Sequence, residues 1–140
     1  MTVPLRVSVV IPALNEASQI AETIAAVRAA EFDEIIVVDG GRHGTTSLSG
    51  AADSVVVGSP GRARQQNRGA DASHGDVLLF LHADCRPHPD SARAIRRVLT
   101  DHSEVVAGCF VQRIAADGWR YRLLEWGNLR RGLWWQMAYG

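Results

Sequence analysis

The chain has no lysine: all 15 of its basic residues are arginine, and they balance 15 aspartates and glutamates to a net charge of +0. With no excess of either sign, no global field draws it to nucleic acid or to an anionic membrane. Arginine throughout suits planar, bidentate anion recognition, and it is equally what a GC-rich genome would encode. Cysteine is scarce. Only Cys85 and Cys109 occur, in surroundings unlike a zinc ribbon or a disulfide scaffold, so a reducing cytoplasm is the expected setting. No apolar run approaches the roughly 20 residues that a spanning helix needs. Met1-Thr2-Val3-Pro4-Leu5-Arg6 enters a strand-like run directly, without the basic and apolar regions of a secretion signal. A Gly-x-Ser-x-Gly elbow, a phosphate-binding P-loop and a glycine-rich dinucleotide fingerprint are absent as well. With no repeat, low-complexity tract or linker, residues 1–140 read as a single domain that buries roughly 68% of its unfolded surface.

What is present is an alternation of short apolar runs with helical patterns. Arg6 to Ile11 is rich in β-branched residues and closed by Pro12, which predicts a first, central strand. Ile20, Ile24 and Val27 then recur at helical spacing in an alanine-rich stretch, predicting a helix from about Asn15 to Ala30. Glu34 to Asp39 is the second strand, and Gly40-Gly41 follows where the chain must turn. A short helix from Gly44 to Ala52, a third strand over Ser54 to Gly58 and a helix over Gly61 to Ser73 come next. Val77 to Leu81 is almost continuously apolar, the pattern of a strand covered on both faces. Beyond it, Asp90 to Leu99 reads as a helix with Ala92, Ile95, Val98 and Leu99 on its apolar side, and Gly108 to Val111 as a strand. Trp119 to Trp135, dense in aromatics and arginine, reads as a helix that Gly127 and Gly132 weaken.

Strands alternating with helices imply right-handed crossovers, a parallel sheet covered on both sides, and all carboxyl ends at one edge. Pro12 to Asn15, Asp39 to Gly41, Gly58 to Gly61 and His82 to Asp84 each fall just past a strand, so they line one crevice. Asp84 can ligate a hard divalent cation, which in turn can bridge phosphate oxygens. His82, two residues earlier, shares a face with it in an extended chain. Both also admit ordinary roles as a cap and a hydrogen-bonded histidine. Asp39 can accept hydrogen bonds from a base or ribose, although Asp-Gly-Gly is equally common turn chemistry. Arg62, Arg64 and Arg68 place cations near a helix start, where a diphosphate would be held, or else form a solvated basic face. Glu125 is an acid-base candidate or the partner of Arg122, and the aromatic-basic segment packs structurally or meets a lipid-linked acceptor.

Taken together, Val9-Val10-Ile11-Pro12-Ala13-Leu14-Asn15-Glu16, Ile36-Val37-Val38-Asp39-Gly40-Gly41 and Leu79-Phe80-Leu81-His82-Ala83-Asp84 resemble a family 2 glycosyltransferase. Gly61-Arg62-Ala63, Asn67-Arg68-Gly69-Ala70, Gly108-Cys109-Phe110 and Trp126-Gly127-Asn128-Leu129-Arg130 narrow the resemblance to the bacterial radical-SAM/selenodomain-associated subgroup. It implies an α/β, GT-A-like (Rossmann-like) fold, with a mostly parallel sheet flanked by helices. Residues 1–100 would be the donor-binding half and 101–140 the start of the acceptor-side half, in a chain that looks C-terminally truncated. It implies inverting transfer from a UDP- or GDP-type nucleotide-sugar with Mg2+ or Mn2+. Pro12, Ala13, Glu16, Asp39, Gly40, Gly41, Arg62, Arg68, His82 and Ala83 would bind the donor nucleotide, and Asp84 the metal. After the glycines, relatives carry a Ser-Thr/Asn-Asp-Gly-Thr-like sequence, whereas this chain has Arg42-His43-Gly44-Thr45. The acidic general base of relatives lies in sequence beyond Gly140, so no catalytic residue is assigned. The acceptor stays open, lipid-linked acceptors included. The further expectations are a cytoplasmic enzyme, peripheral to the inner membrane face, with no nucleic acid partner. Its Trp134 and Trp135 surface would favour a homodimer.

Overall fold

The computed structural model describes residues 4–14, 17–41 and 51–135, without the side chains of 17, 18 and 131–135. Its centre is β1 (Val7–Ala13), six of whose seven residues are buried. α1 (Ala17–Ala29) follows, then β2 (Glu34–Asp39), β3 (Ser54–Val57), α2 (Arg62–Asp71), β4 (Val77–Phe80), α3 (Ser91–Asp101) and α4 (Trp119–Trp135). The four strands are parallel in the order β3-β2-β1-β4. The chain steps outward from β1 to β3 and then returns past β1 to β4. The order of the strands thus reverses between β1 and β4, and in open α/β sheets the crevice at that point, outside the carboxyl ends, is where ligands bind.

Each face has its own apolar layer. Val7, Val9, Ile11 and Ala13 of β1 and Ile35 and Val37 of β2 pack with Ile20, Ile24 and Val27, the stripe expected of α1, and with Ala92 of α3. Burying each such isoleucine or valine contributes about 1.5–3 kcal/mol. The opposite face is smaller, built from Val10, Ile36 and Val38 with Val56 beside them. Here α2 lies directly on the strands through Gly69, where a Cβ would stand 2.3 Å from Val10 Cγ1 and 3.0 Å from Val38 Cγ2. Any larger residue at position 69 would lift the helix off the sheet.

Several expectations are corrected. β1 runs through Pro12 rather than stopping at it, with Pro12 opposite Val38 and Ala13 opposite Asp39. In a parallel strand alternate residues direct their backbone groups to alternate neighbours. Ala13 O accepts the Gly40 N–H, whereas Val10 O accepts that of Leu81, so the missing Pro12 donor faces the β4 side. Pairing with β4 has ended there, at Val10 and Phe80, and no ladder bond is lost. β4 is an edge strand of this sheet, and its burial alternates: Leu78 is 37% and Phe80 45% exposed. α2 packs on β1 and β2. Val98 is exposed too, unlike its expected apolar neighbours Ala92 and Ile95. Residues 102–118 contain no strand, and Phe110 and Val111 are exposed. α4 runs through Gly127 as one helix of 17 residues. The expected helix over Gly44 to Ala52 falls almost wholly on residues outside those described.

The chain divides into two compact units, Met1–Val98 and Leu99–Gly140. In the second, Glu125 accepts the Ile114 N–H at 2.6 Å and pairs with Arg122 at 2.8 Å, while the Arg130 guanidinium stacks 4.8 Å from the centre of the Trp126 ring. No helix among the described residues is long and apolar enough to cross a membrane.

Candidate functional site

Four backbone segments leave the sheet at its carboxyl edge, and hydrogen bonds hold them in register. Gly40 N–H donates to Ala13 O at 3.0 Å, joining the ends of β1 and β2. Gly58 N–H donates to Asp39 O at 2.9 Å, joining β3. On the other side Leu81 N–H reaches Val10 O at 3.0 Å, so the chain is still anchored to β1 as it passes into His82.

Asp39 is the end of β2 and only 2% exposed. Burying a carboxylate is costly unless it is hydrogen-bonded, and its Oδ1 accepts the Gly41 N–H at 2.8 Å. The local turn foreseen as ordinary Asp-Gly-Gly chemistry does form, and a carboxylate offers about four acceptor positions, so the turn does not use up its acceptors. Pro12 is half-buried and Ala13 buried at the end of β1. Glu16 lies outside the described residues, as do Arg42, His43, Gly44 and Thr45.

The second carboxylate sits on a tight turn. Cys85 N–H donates to His82 O at 3.0 Å, so residues 82–85 curl back instead of continuing the strand. The extended spacing that would put His82 and Asp84 on one face therefore does not apply. His82 is half-buried, Ala83 buried and Asp84 exposed. Among the described residues the partner of the Asp84 carboxylate is the Cys85 thiol, at 3.6 Å. Burial pushes the Cys85 thiol above its ordinary pKa, and the neighbouring Asp84 charge pushes it the same way, so it stays protonated and a poor ligand.

Two residues that sequence reasoning passed over fix these turns. Thr23 of α1, 1% exposed, donates its hydroxyl to Ala83 O at 2.6 Å, and the neighbouring Glu22 pairs with Arg86. Gln65 of α2, 3% exposed, donates from Nε2 to Ala13 O at 2.8 Å and to Val38 O at 2.9 Å. Both are polar residues at positions facing the sheet, the signal that marks them. Arg62, Arg64 and Arg68 of the same helix are all exposed, so the structure brings them to α2 without tying them to Asp39 or Asp84.

No group of three His, Cys, Asp or Glu residues able to hold a metal ion occurs among the described residues. The exposed carboxylate of Asp84 nevertheless suits Mg2+ or Mn2+, which commonly take one or two carboxylates and draw their other oxygens from phosphates and water.

Comparison with known proteins agrees with this architecture. Glycosyltransferase AglE of Haloferax volcanii is 35% identical over 59% of this chain. The chain spans 31% of that relative's length. Glucosyl-3-phosphoglycerate synthase from Mycobacterium tuberculosis, solved with Mn2+, UDP and glucosyl-3-phosphoglycerate, is 30% identical with a TM-score of 0.52, over 61% of this chain and 36% of that one. TarS of S. aureus, at 17% identity, shares the fold with a TM-score of 0.61 over 71% of this chain and 20% of its own. The sequence also matches the model of Glycosyl transferase family 2 over residues 8–139, nearly its whole length. With a parallel α/β sheet of the GT-A type and that match, the chain belongs to glycosyltransferase family 2.

Proposed function

We propose that the carboxyl edge of the sheet binds a nucleotide-sugar donor, UDP- or GDP-type, and that the chain serves inverting sugar transfer to an acceptor hydroxyl. The observation that carries this reading is the convergence of Ala13, the Asp39-Gly40-Gly41 turn and the His82-Ala83-Asp84 turn on that edge, at the reversal of strand order. The solved relative at 30% identity, which holds UDP and Mn2+, supports it.

In this reading Asp39 accepts hydrogen bonds from the nucleoside, and the amides of Gly40 and Gly41 approach it closely. Pro12 and Ala13 form the adjoining wall, and Glu16, outside the described residues, is assigned to the donor as well. Arg62 and Arg68 meet the diphosphate through charge-assisted hydrogen bonds. Asp84 would hold Mg2+ or Mn2+, with His82 and Ala83 beside it. When bound, the cation neutralises charge developing on the diphosphate leaving group. Attack by the acceptor from the opposite face needs a base to take the hydroxyl proton. Glu125 is committed to Ile114 and Arg122, which hold its carboxyl below the ordinary range, and this favours a second reading, a donor-binding piece whose base is supplied elsewhere. Transfer or hydrolysis of a nucleotide-sugar separates the two.

A lipid-linked acceptor, a place at the cytoplasmic membrane face and a homodimer belong to the same proposal. The exposed Leu78 and Phe80 on an edge strand support self-association, and light scattering that shows a concentration-independent monomer would refute it. Calorimetric titration with UDP and GDP, each with Mn2+, tests the donor site. Metal-dependent binding to one of them is expected, and absence of binding to both would overturn the reading.

A further inference from the structure

The buried amide of Gln65 joins more of the carboxyl edge than any other side chain described there. Its nitrogen has two N–H groups, and the two carbonyls it reaches, Ala13 O and Val38 O, lie on adjacent strands. Ala13 O also receives the Gly40 N–H. Gly40 rests against the amide itself: a Cβ added there would be 2.8 Å from Gln65 Nε2 and 2.9 Å from its Cδ. One turn further along α2, Gly69 meets Val10 and Val38 in a wholly apolar contact. An apolar residue at position 65 would continue that contact, so the amide stands where the helix meets the strand ends and not where it needs only to pack.

The same helix carries Arg62 and Arg64 within a turn before Gln65 and Arg68 within a turn after it. We infer that Gln65 is a positioning residue, whose amide locks the arginine-bearing helix α2 to the Asp39-Gly40-Gly41 turn so that nucleoside and diphosphate contacts are held at a fixed spacing. This rests on the donor-site reading. It adds that the two halves of the nucleotide grip share one joint, and that the joint is a side chain that need not touch the ligand.

Gln65→Met keeps the length and removes both donors, while Gly40→Ala presses on the joint from the other side and leaves Gln65 in place. UDP affinity in the presence of Mg2+ is measured calorimetrically for each variant, well below its unfolding temperature, alone and combined with Arg68→Ala. A roughly tenfold loss is expected for each, together with a smaller effect of Arg68→Ala in either background than in the wild type. A purely structural role would leave the effect of Arg68→Ala undiminished. Unchanged UDP affinity, or an undiminished Arg68→Ala effect, overturns the inference while leaving the donor site standing. If Gln65→Met does not fold, Gly40→Ala decides by the same criteria. Failure of the wild-type chain to bind UDP or GDP overturns both.

Discussion

The two ends of the sheet use aspartate in opposite ways. At the amino end an aspartate stands immediately before each of β2, β3 and β4, and each accepts a backbone N–H from the neighbouring strand. Asp33 takes that of Val7 at 2.6 Å, Asp53 that of Ile35 at 2.7 Å and Asp76 that of Arg6 at 2.9 Å. Arg96 and Arg28 complete the first two at 2.7 Å. Glu34 joins them by accepting the Ser8 hydroxyl at 2.6 Å and the His74 N–H at 2.8 Å. At the carboxyl end, among the described residues, Asp39 accepts from its own turn and Asp84 meets an adjacent thiol, neither from a neighbouring strand. Carboxylates entering the strands set register, while those leaving them are the ones the proposed reading gives to the donor and its metal.

Truncation at the amino end should therefore be the most destabilising change. Asp33→Ala strands the Val7 N–H and releases Arg96, so urea denaturation should show a loss of about 2–3 kcal/mol. A loss below about 0.5 kcal/mol would erase the distinction between the ends.

Acid should expose the same asymmetry. Burial pushes Asp33 and Glu34 up, but the Val7 N–H and Arg96 outweigh it for Asp33, and Ser8 and His74 do so for Glu34, leaving both below the ordinary range. The hydrogen bond from Arg28 holds Asp53 down in the same way, aided by the Ile35 N–H and opposed by burial. The unfolded chain then binds more protons in acid, so stability rises with pH there. The contribution is complete above the unfolded values of about 4 and disappears as pH falls through the folded ones. In Asp33→Asn/Asp53→Asn, the urea midpoint should fall less steeply between about pH 5 and pH 2. An unaltered slope would contradict the assignment.

Thr23→Val probes the boundary between structure and site, since it removes the donor that holds Ala83 O. About 1–2 kcal/mol of stability should go, and metal-dependent UDP affinity should fall with it, whereas Thr23→Ser keeps both. Equal affinity in all three would show that the 82–85 turn holds itself. The smallest effect on folding belongs to Asp84→Asn, expected within about 0.5 kcal/mol of wild type while metal-dependent binding is lost. A large drop in stability there would make Asp84 structural after all.

Periodicity made the strands and helices readable, because Ile20, Ile24 and Val27 and the β-branched runs reflect burial in units of local sequence. β4 differs from its reading for a physical reason: an apolar run reports that a strand can be covered, and Leu78 and Phe80 stay 37% and 45% exposed. The turn at His82 was hidden because a hydrogen bond from Cys85 N–H to a backbone carbonyl leaves no trace in side-chain type. Asp39, Gly40 and Asp84 could be named because a carboxylate or glycine after an apolar run is visible in sequence. Thr23 and Gln65 are marked only as polar residues on sheet-facing positions, and their partners, Ala83 O and Ala13 O, are hidden because they are backbone atoms 60 and 52 residues away.

Amide shifts of the chain titrated with UDP and with GDP, each with Mg2+, test the division of the sheet most directly. The account predicts perturbation at Gly40, Gly41, Ala83 and Asp84, with Asp33, Asp53 and Asp76 unmoved. Shifts centred on the amino-end aspartates, or none at either end, would contradict it.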